Sequence, residues 1–131
     1  MIDLLFVYGT LLRGAGHPMH QLLLEQSDFH SSGRLQARLY RVTDYPGAVL
    51  ADHSDDWVQG EIYRLHHPLR LLTQLDRYEG CSPDDPQPQE YRREVQPIRL
   101  ADGATLSAWV YLYQGDTTAL PLIPSGDFLN R

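Results

Sequence analysis

The chain has 131 residues, 42% of them hydrophobic and 21% charged, enough for one globular domain spanning residues 1–131 and unlike a disordered composition. The net charge is −6 and no basic patch interrupts the acidic balance, which argues against nucleic acid and anionic membranes as partners. All 11 basic residues are arginine, which excludes a lysine Schiff base, with the pyridoxal phosphate chemistry that needs one, and a phosphate-loop lysine.

In chain order, residues 4–8 (LLFVY) form a short apolar run that predicts a buried strand broken at Gly9. Residues 18–26 predict a short helix, opened by Pro18 and carrying Met19, Leu22 and Leu23 at helical spacing. Alternation predicts a strand over 35–43, followed by a turn at Tyr45-Pro46-Gly47 and a short strand over 48–50. Another strand is expected over 58–65. The clearest helix covers 68–78, with Leu69, Leu72 and Leu75 three apart and Leu71 and Tyr78 beside them. Pro83, Pro86 and Pro88 make 82–89 a loop. Residues 91–100 and 105–113 flank Ala101-Asp102-Gly103-Ala104, a strong hairpin signal, and an extended tail over 121–131 turns at Ser125-Gly126. Many strands, two helices and no regular alternation between them predict an α+β fold. The sheet is expected to be antiparallel or mixed, either a curled sheet or a small barrel, since closure removes exposed edges.

Cys81 is the only cysteine, so no intrachain disulfide forms and a reducing compartment is expected. The opening MIDLLFVYGT has no basic leader, and its apolar run is too short for a signal or membrane segment. The reading is therefore cytoplasmic.

Four features invite a chemical reading. His17 and His20 are three apart with Pro18 between them, and His66 and His67 are adjacent; neither pair has an acid or thiol cluster to complete a metal site, so no metal is expected. Cys81 reads as an ordinary free thiol rather than a nucleophile. The turn at Tyr8-Gly9-Thr10-Leu11 follows a strand, where successive N–H groups are able to meet an anion, or it is simply a turn. Glu79 ends the second helix, where the backbone dipole disfavours an acid. It is either a solvated surface acid or a buried one, whose raised pKa would suit acid–base work.

The segments FVYGTLLRG (6–14), YPG (45–47), VQGEIY (58–63), LDRYEG (75–80), EYRREV (90–95), AWVYLY (108–113) and IPSGDF (123–128) follow one another in an order and spacing that resembles the gamma-glutamylcyclotransferase-like (AIG2-like) family over nearly the whole chain. The resemblance implies a small mixed β-barrel-like domain with helices outside. It implies that the Tyr8-Gly9-Thr10-Leu11 loop holds the substrate's glutamyl group through its backbone and that Glu79 is the catalytic acid. The partner it implies is a small γ-glutamyl compound, with no cofactor. The tail carries Phe128 where a tryptophan is common, and the acidic, proline-rich CSPDDPQPQE loop (81–90) departs in a region that usually sets the substrate.

The reaction so implied is intramolecular: the α-amine of a γ-glutamyl amide attacks the side-chain carbonyl, closing 5-oxoproline and releasing an amine. Glu79 would move the proton, and the Gly9–Leu11 N–H groups would hold the α-carboxylate or the developing oxyanion. Glu61 reads as structural, paired within the sheet. Tyr113 lines the pocket or packs in the core. A non-catalytic ligand-binding module on the same fold is the second reading, and a plain interaction domain the third.

Overall fold

A computed structural model describes residues 1–52 and 55–131. The opening apolar run becomes β1 (Leu4–Val7), buried along its whole length. Burial on every side follows from its place between two partners, β4 (Trp57–Leu65), antiparallel, and β6 (Thr105–Tyr113), parallel. A strand covered on both faces has no reason to alternate, which is why the sequence is continuously apolar there.

β2 (Ser27–Arg41) pairs with β4, β6 pairs with β5 (Tyr91–Arg99), and β5 returns to β2 through Arg34↔Arg99. The order β2-β4-β1-β6-β5 therefore closes into a five-stranded barrel, and β3 (Pro46–Leu50) adds to the outer half of β2. The fold is α+β and mixed, as expected. Two helices pack outside, α1 (Met19–Glu25) and α2 (Pro68–Glu79). Among the described residues no helix is long and apolar enough to cross a membrane.

Several boundaries differ from the sequence reading. β2 starts eight residues before the predicted strand: the stretch SDFHSSGR pairs with β4 while leaving most of its side chains exposed, with a bulge between Phe29 and Ser31, so it shows no apolar alternation. Pro46 and Gly47 belong to β3 rather than to a turn, paired with Arg41 and Tyr40. On α2, Leu71, Leu72 and Leu75 are buried, but Leu69 is 69% exposed, because it sits in the first helical turn on an open surface beside Met1. The 101–104 hairpin turn forms as read, with Gly103 at φ 88°. The tail lies along β2 and β4, through Ile123 N–H to Leu39 O and Gln59 N–H to Gly126 O (both 2.7 Å), and ends in a short 3₁₀ turn, Phe128–Asn130.

Candidate active site

A cavity of about 290 Å³ opens where β1 gives way to its following loop. Tyr8, Gly9, Thr10 and Leu11 wall one side, and Glu79 lies in the same cavity. Leu12 N–H closes a turn onto Gly9 O at 3.0 Å, and His20 Nδ1 donates to Leu11 O at 2.7 Å. The backbone N–H groups of Gly9, Thr10 and Leu11 meet no acceptor among the described residues and are free to take an anion. Gly9 is required by close approach: a Cβ there would come 2.8 Å from Pro46 Cγ. Arg13, just beyond, anchors the loop on Glu61, with N–H to Oε1 at 3.0 Å and Nε to Oε2 at 3.2 Å. Tyr63 also donates to Glu61 Oε1 at 2.9 Å, so Glu61 is bound both by the loop and by its own strand.

Opposite, α2 ends at Glu79 because Gly80 adopts a left-handed conformation, φ 74°, and its N–H returns to Arg77 O. Asp76, one turn earlier, accepts from Arg93 Nε (2.8 Å), Arg93 Nη2 (3.1 Å) and the Tyr111 hydroxyl (2.7 Å). The Arg93 guanidinium in turn lies 4.3 Å from the Trp109 ring centroid. The last turn of α2 is thereby clamped to β5 and β6, and Glu79, on the same helix face three residues on, is delivered to the cavity. Glu79 has no hydrogen-bond partner among the described residues, and its carboxyl is largely enclosed. Burial first, then the nearby Glu90 and Asp76, raise its pKa from 4.5 to about 8.

Tyrosines complete the wall. Tyr8 donates to Tyr111 O at 2.5 Å and accepts from Ala48 N–H at 3.1 Å, and Tyr91 donates to Pro46 O at 2.6 Å. Burial pushes the Tyr8, Tyr91 and Tyr111 phenols well above their usual range, so they remain neutral donors. A second chain of hydrogen bonds reaches Thr10. His17 Nδ1 accepts from Met19 N–H at 3.1 Å, so in the neutral ring Nε2 carries the proton and donates to Tyr78 Oη at 3.3 Å. Tyr78 Oη and Thr10 Oγ1 share a hydrogen bond at 2.9 Å, and both residues line the cavity.

The chain matches the family described as Gamma-glutamyl cyclotransferase, AIG2-like, over residues 5–130. It belongs to that family. A putative gamma-glutamylcyclotransferase of Vibrio cholerae is 35% identical over 134 residues, covering 100% of this chain and 99% of that protein. The human gamma-glutamylaminecyclotransferase is 32% identical over 109 residues, or 76% of this chain and 63% of that one. The crystal structure of a mouse AIG2-like protein superposes with a TM-score of 0.71 at 25% identity, covering 92% and 85% of the two chains. The protein is thus an enzyme of the gamma-glutamylcyclotransferase type, on that family's barrel.

Of the residues singled out from the sequence, Tyr8, Gly9, Thr10, Leu11 and Glu79 line one cavity. Tyr113 does not line it: its ring packs edge-on against Tyr91 at 5.6 Å, and Tyr111, two residues earlier on the same strand, faces the cavity instead. His17 and His20 serve the loop through different partners, and His66 pairs with Asp28 at 3.0 Å. Burial and Asp76 raise the Cys81 thiol to about 12, far from a reactive thiolate. Sequence reasoning missed His17, Asp44, Tyr45, Tyr78, Glu90, Tyr91 and Tyr111 as lining residues. Tyr45, Tyr78, Glu90, Tyr91 and Tyr111 all lie inside the recurring segments quoted above, the one sequence signal available.

The raised Glu79 pKa has a consequence for stability. Between about pH 4.5 and about 8 the folded protein holds a proton that the unfolded chain has released, so stability falls as pH rises through that window. Urea unfolding midpoints of the wild type are therefore expected to drop, relative to Glu79→Gln, between about pH 5 and about pH 8. Parallel pH profiles for the two proteins would show that Glu79 is not held near neutrality.

Proposed function

We propose that this enzyme converts γ-glutamyl amides into 5-oxoproline and a free amine, with Glu79 as the group that moves the proton. The observation that supports this reading is the meeting of Glu79 and the Gly9–Leu11 N–H groups across one cavity, although α2 and the β1 loop are far apart in sequence. The substrate's α-amine attacks its own γ-carbonyl carbon, so a C–N bond forms as the ring closes and the amide C–N bond breaks. Both partners are in one molecule, and correct alignment alone supplies an effective molarity of about 10⁵ M or more. Ionised Glu79 takes the proton from the attacking nitrogen and returns it to the departing one; a carboxyl titrating near 8 is populated in both forms around neutral pH. The free N–H groups of Gly9, Thr10 and Leu11 hold the substrate's negative charge.

The human relative is named for γ-glutamylamines, so the substrate panel that tests this reading spans γ-glutamyl amino acids and γ-glutamylamines. Incubation with the panel is expected to release 5-oxoproline and free amine in equal amounts from at least one member. Tight binding of a panel member with no turnover of any would overturn the enzymatic reading.

A further inference from the structure

Among the described residues five tyrosines line the cavity, and four of them commit their hydroxyl proton to a fixed acceptor. Tyr8 donates to Tyr111 O, Tyr91 to Pro46 O, Tyr111 to Asp76 and Tyr45 to Glu90. Tyr78 differs. Its hydroxyl meets two side chains, Thr10 Oγ1 at 2.9 Å and His17 Nε2 at 3.3 Å, and both belong to the segment that follows β1. The His17 and Tyr78 rings also meet edge-on, with centroids 5.6 Å apart. Among the described residues these are the only hydrogen bonds that join residues 9–17 to α2. Two positions along a helix is about 200° around its axis, so Asp76 and Tyr78 grip opposite sides of the last turn. Asp76 ties that turn to β5 and β6, and Tyr78 ties it to the loop after β1. Glu79 follows Tyr78 directly.

The proposed reaction makes one geometric demand on these elements. In the closing ring the attacking nitrogen is bonded to the carbon that carries the carboxylate and to the carbon that carries the developing oxyanion. Whichever anion the Gly9–Leu11 N–H groups hold, they must sit at a set distance from the group that takes the proton from nitrogen. The N–H groups belong to the loop after β1 and the proton carrier to α2, and Tyr78 spans the two. We propose that Tyr78 is a positioning residue, whose hydroxyl, between Thr10 and His17, holds the Gly9–Leu11 turn at the working distance from Glu79. This role rests on the cyclotransferase reading above. It asks neither proton transfer nor charge of the phenol: burial raises its pKa, so the hydroxyl stays neutral. The benefit of an intramolecular attack depends on alignment, and a misplacement of about 1 Å costs up to about 10²-fold in rate.

Tyr78→Phe keeps the ring against His17 and removes the bridge. On a γ-glutamyl amide that the wild type turns over, the expected result is a kcat about ten-fold lower, with KM changed less than about two-fold because the N–H groups still receive the anion. Tyr78 is partly exposed, so water replaces the lost hydrogen bonds and the urea unfolding midpoint should stay close to that of the wild type. Thr10→Val keeps the shape of the side chain without its hydroxyl and should repeat the loss of kcat, whereas Thr10→Ser, which keeps the hydroxyl, should retain most of the wild-type kcat. A double variant carrying Tyr78→Phe and Thr10→Val should be no slower than the slower single variant, since both substitutions remove the same bond. Wild-type kcat in Tyr78→Phe, or losses that multiply in the double variant, would overturn the positioning role and leave the cyclotransferase reading standing. A fall in kcat matched by an equal fall in folded protein would do the same. A wild type that turns over no γ-glutamyl amide would overturn both.

Discussion

Glu79→Gln is expected to lower 5-oxoproline formation by about 10²–10⁴-fold, the usual contribution of a positioned acid–base group. The amide keeps the size of the carboxyl and can neither accept nor return the proton. Structure should survive well: Glu79 makes no hydrogen bond among the described residues, and its charged form is disfavoured by burial, Glu90 and Asp76. A neutral isostere removes that unfavourable term, so the variant should be at least as stable as the wild type above about pH 8. Initial rates across pH, with circular dichroism as a check on folding, measure both effects. A variant with more than about a tenth of wild-type kcat would rule out Glu79 as the proton carrier, whatever its stability.

The second large effect is expected at Asp76. Its carboxylate accepts from both arms of Arg93 and from the Tyr111 hydroxyl, so Asp76→Ala strands a guanidinium and a phenol that are both mostly shielded from water. Breaking one side of a buried pair costs about 3–5 kcal/mol, and about 3 kcal/mol is expected here because Arg93 keeps some exposure and its stack on Trp109. Urea unfolding measures it; a loss under about 1 kcal/mol would show that the clamp does not secure α2. Asp76→Asn keeps the shape and part of the hydrogen bonding and should lose less. It also removes one of the charges that raise the Glu79 pKa, so the pH profile of the surviving activity should shift to lower pH. A purely structural role for Asp76 would leave that profile in place.

The legible parts of this fold are those with a local pattern. β1 is a continuous apolar run, the β5–β6 hairpin carries Asp102-Gly103 at its turn, and α2 has leucines at helical spacing with Gly80 to stop it. The first half of β2 was not legible, because its strand character comes from pairing with β4 and not from its own polar side chains. Leu69 misled for the opposite reason: it matches the helical stripe, but the first turn of α2 lies over open surface. Tyr113 and Tyr111 look equivalent in AWVYLY, two residues apart on one strand face. Their difference is set by register, since Tyr113 pairs with Tyr91 at the end of the hairpin and Tyr111 pairs with Arg93 beside the α2 clamp.

By itself the sequence determined the α+β class, the helix that ends in Glu79, the glycine that stops it and the tight turn at Gly9, because each depends on neighbours within a few positions. The order of the recurring segments added the pairing of Glu79 with that turn. Only the tertiary structure decided that Glu79 is enclosed, with its pKa raised to about 8, and that Asp76 is held by Arg93 and Tyr111 as the clamp on α2. Those properties come from barrel closure, which brings α2, the β1 loop and the start of β5 around one volume. Burial and the sign of neighbouring charge are sums over residues distant in the chain, and no local pattern encodes them.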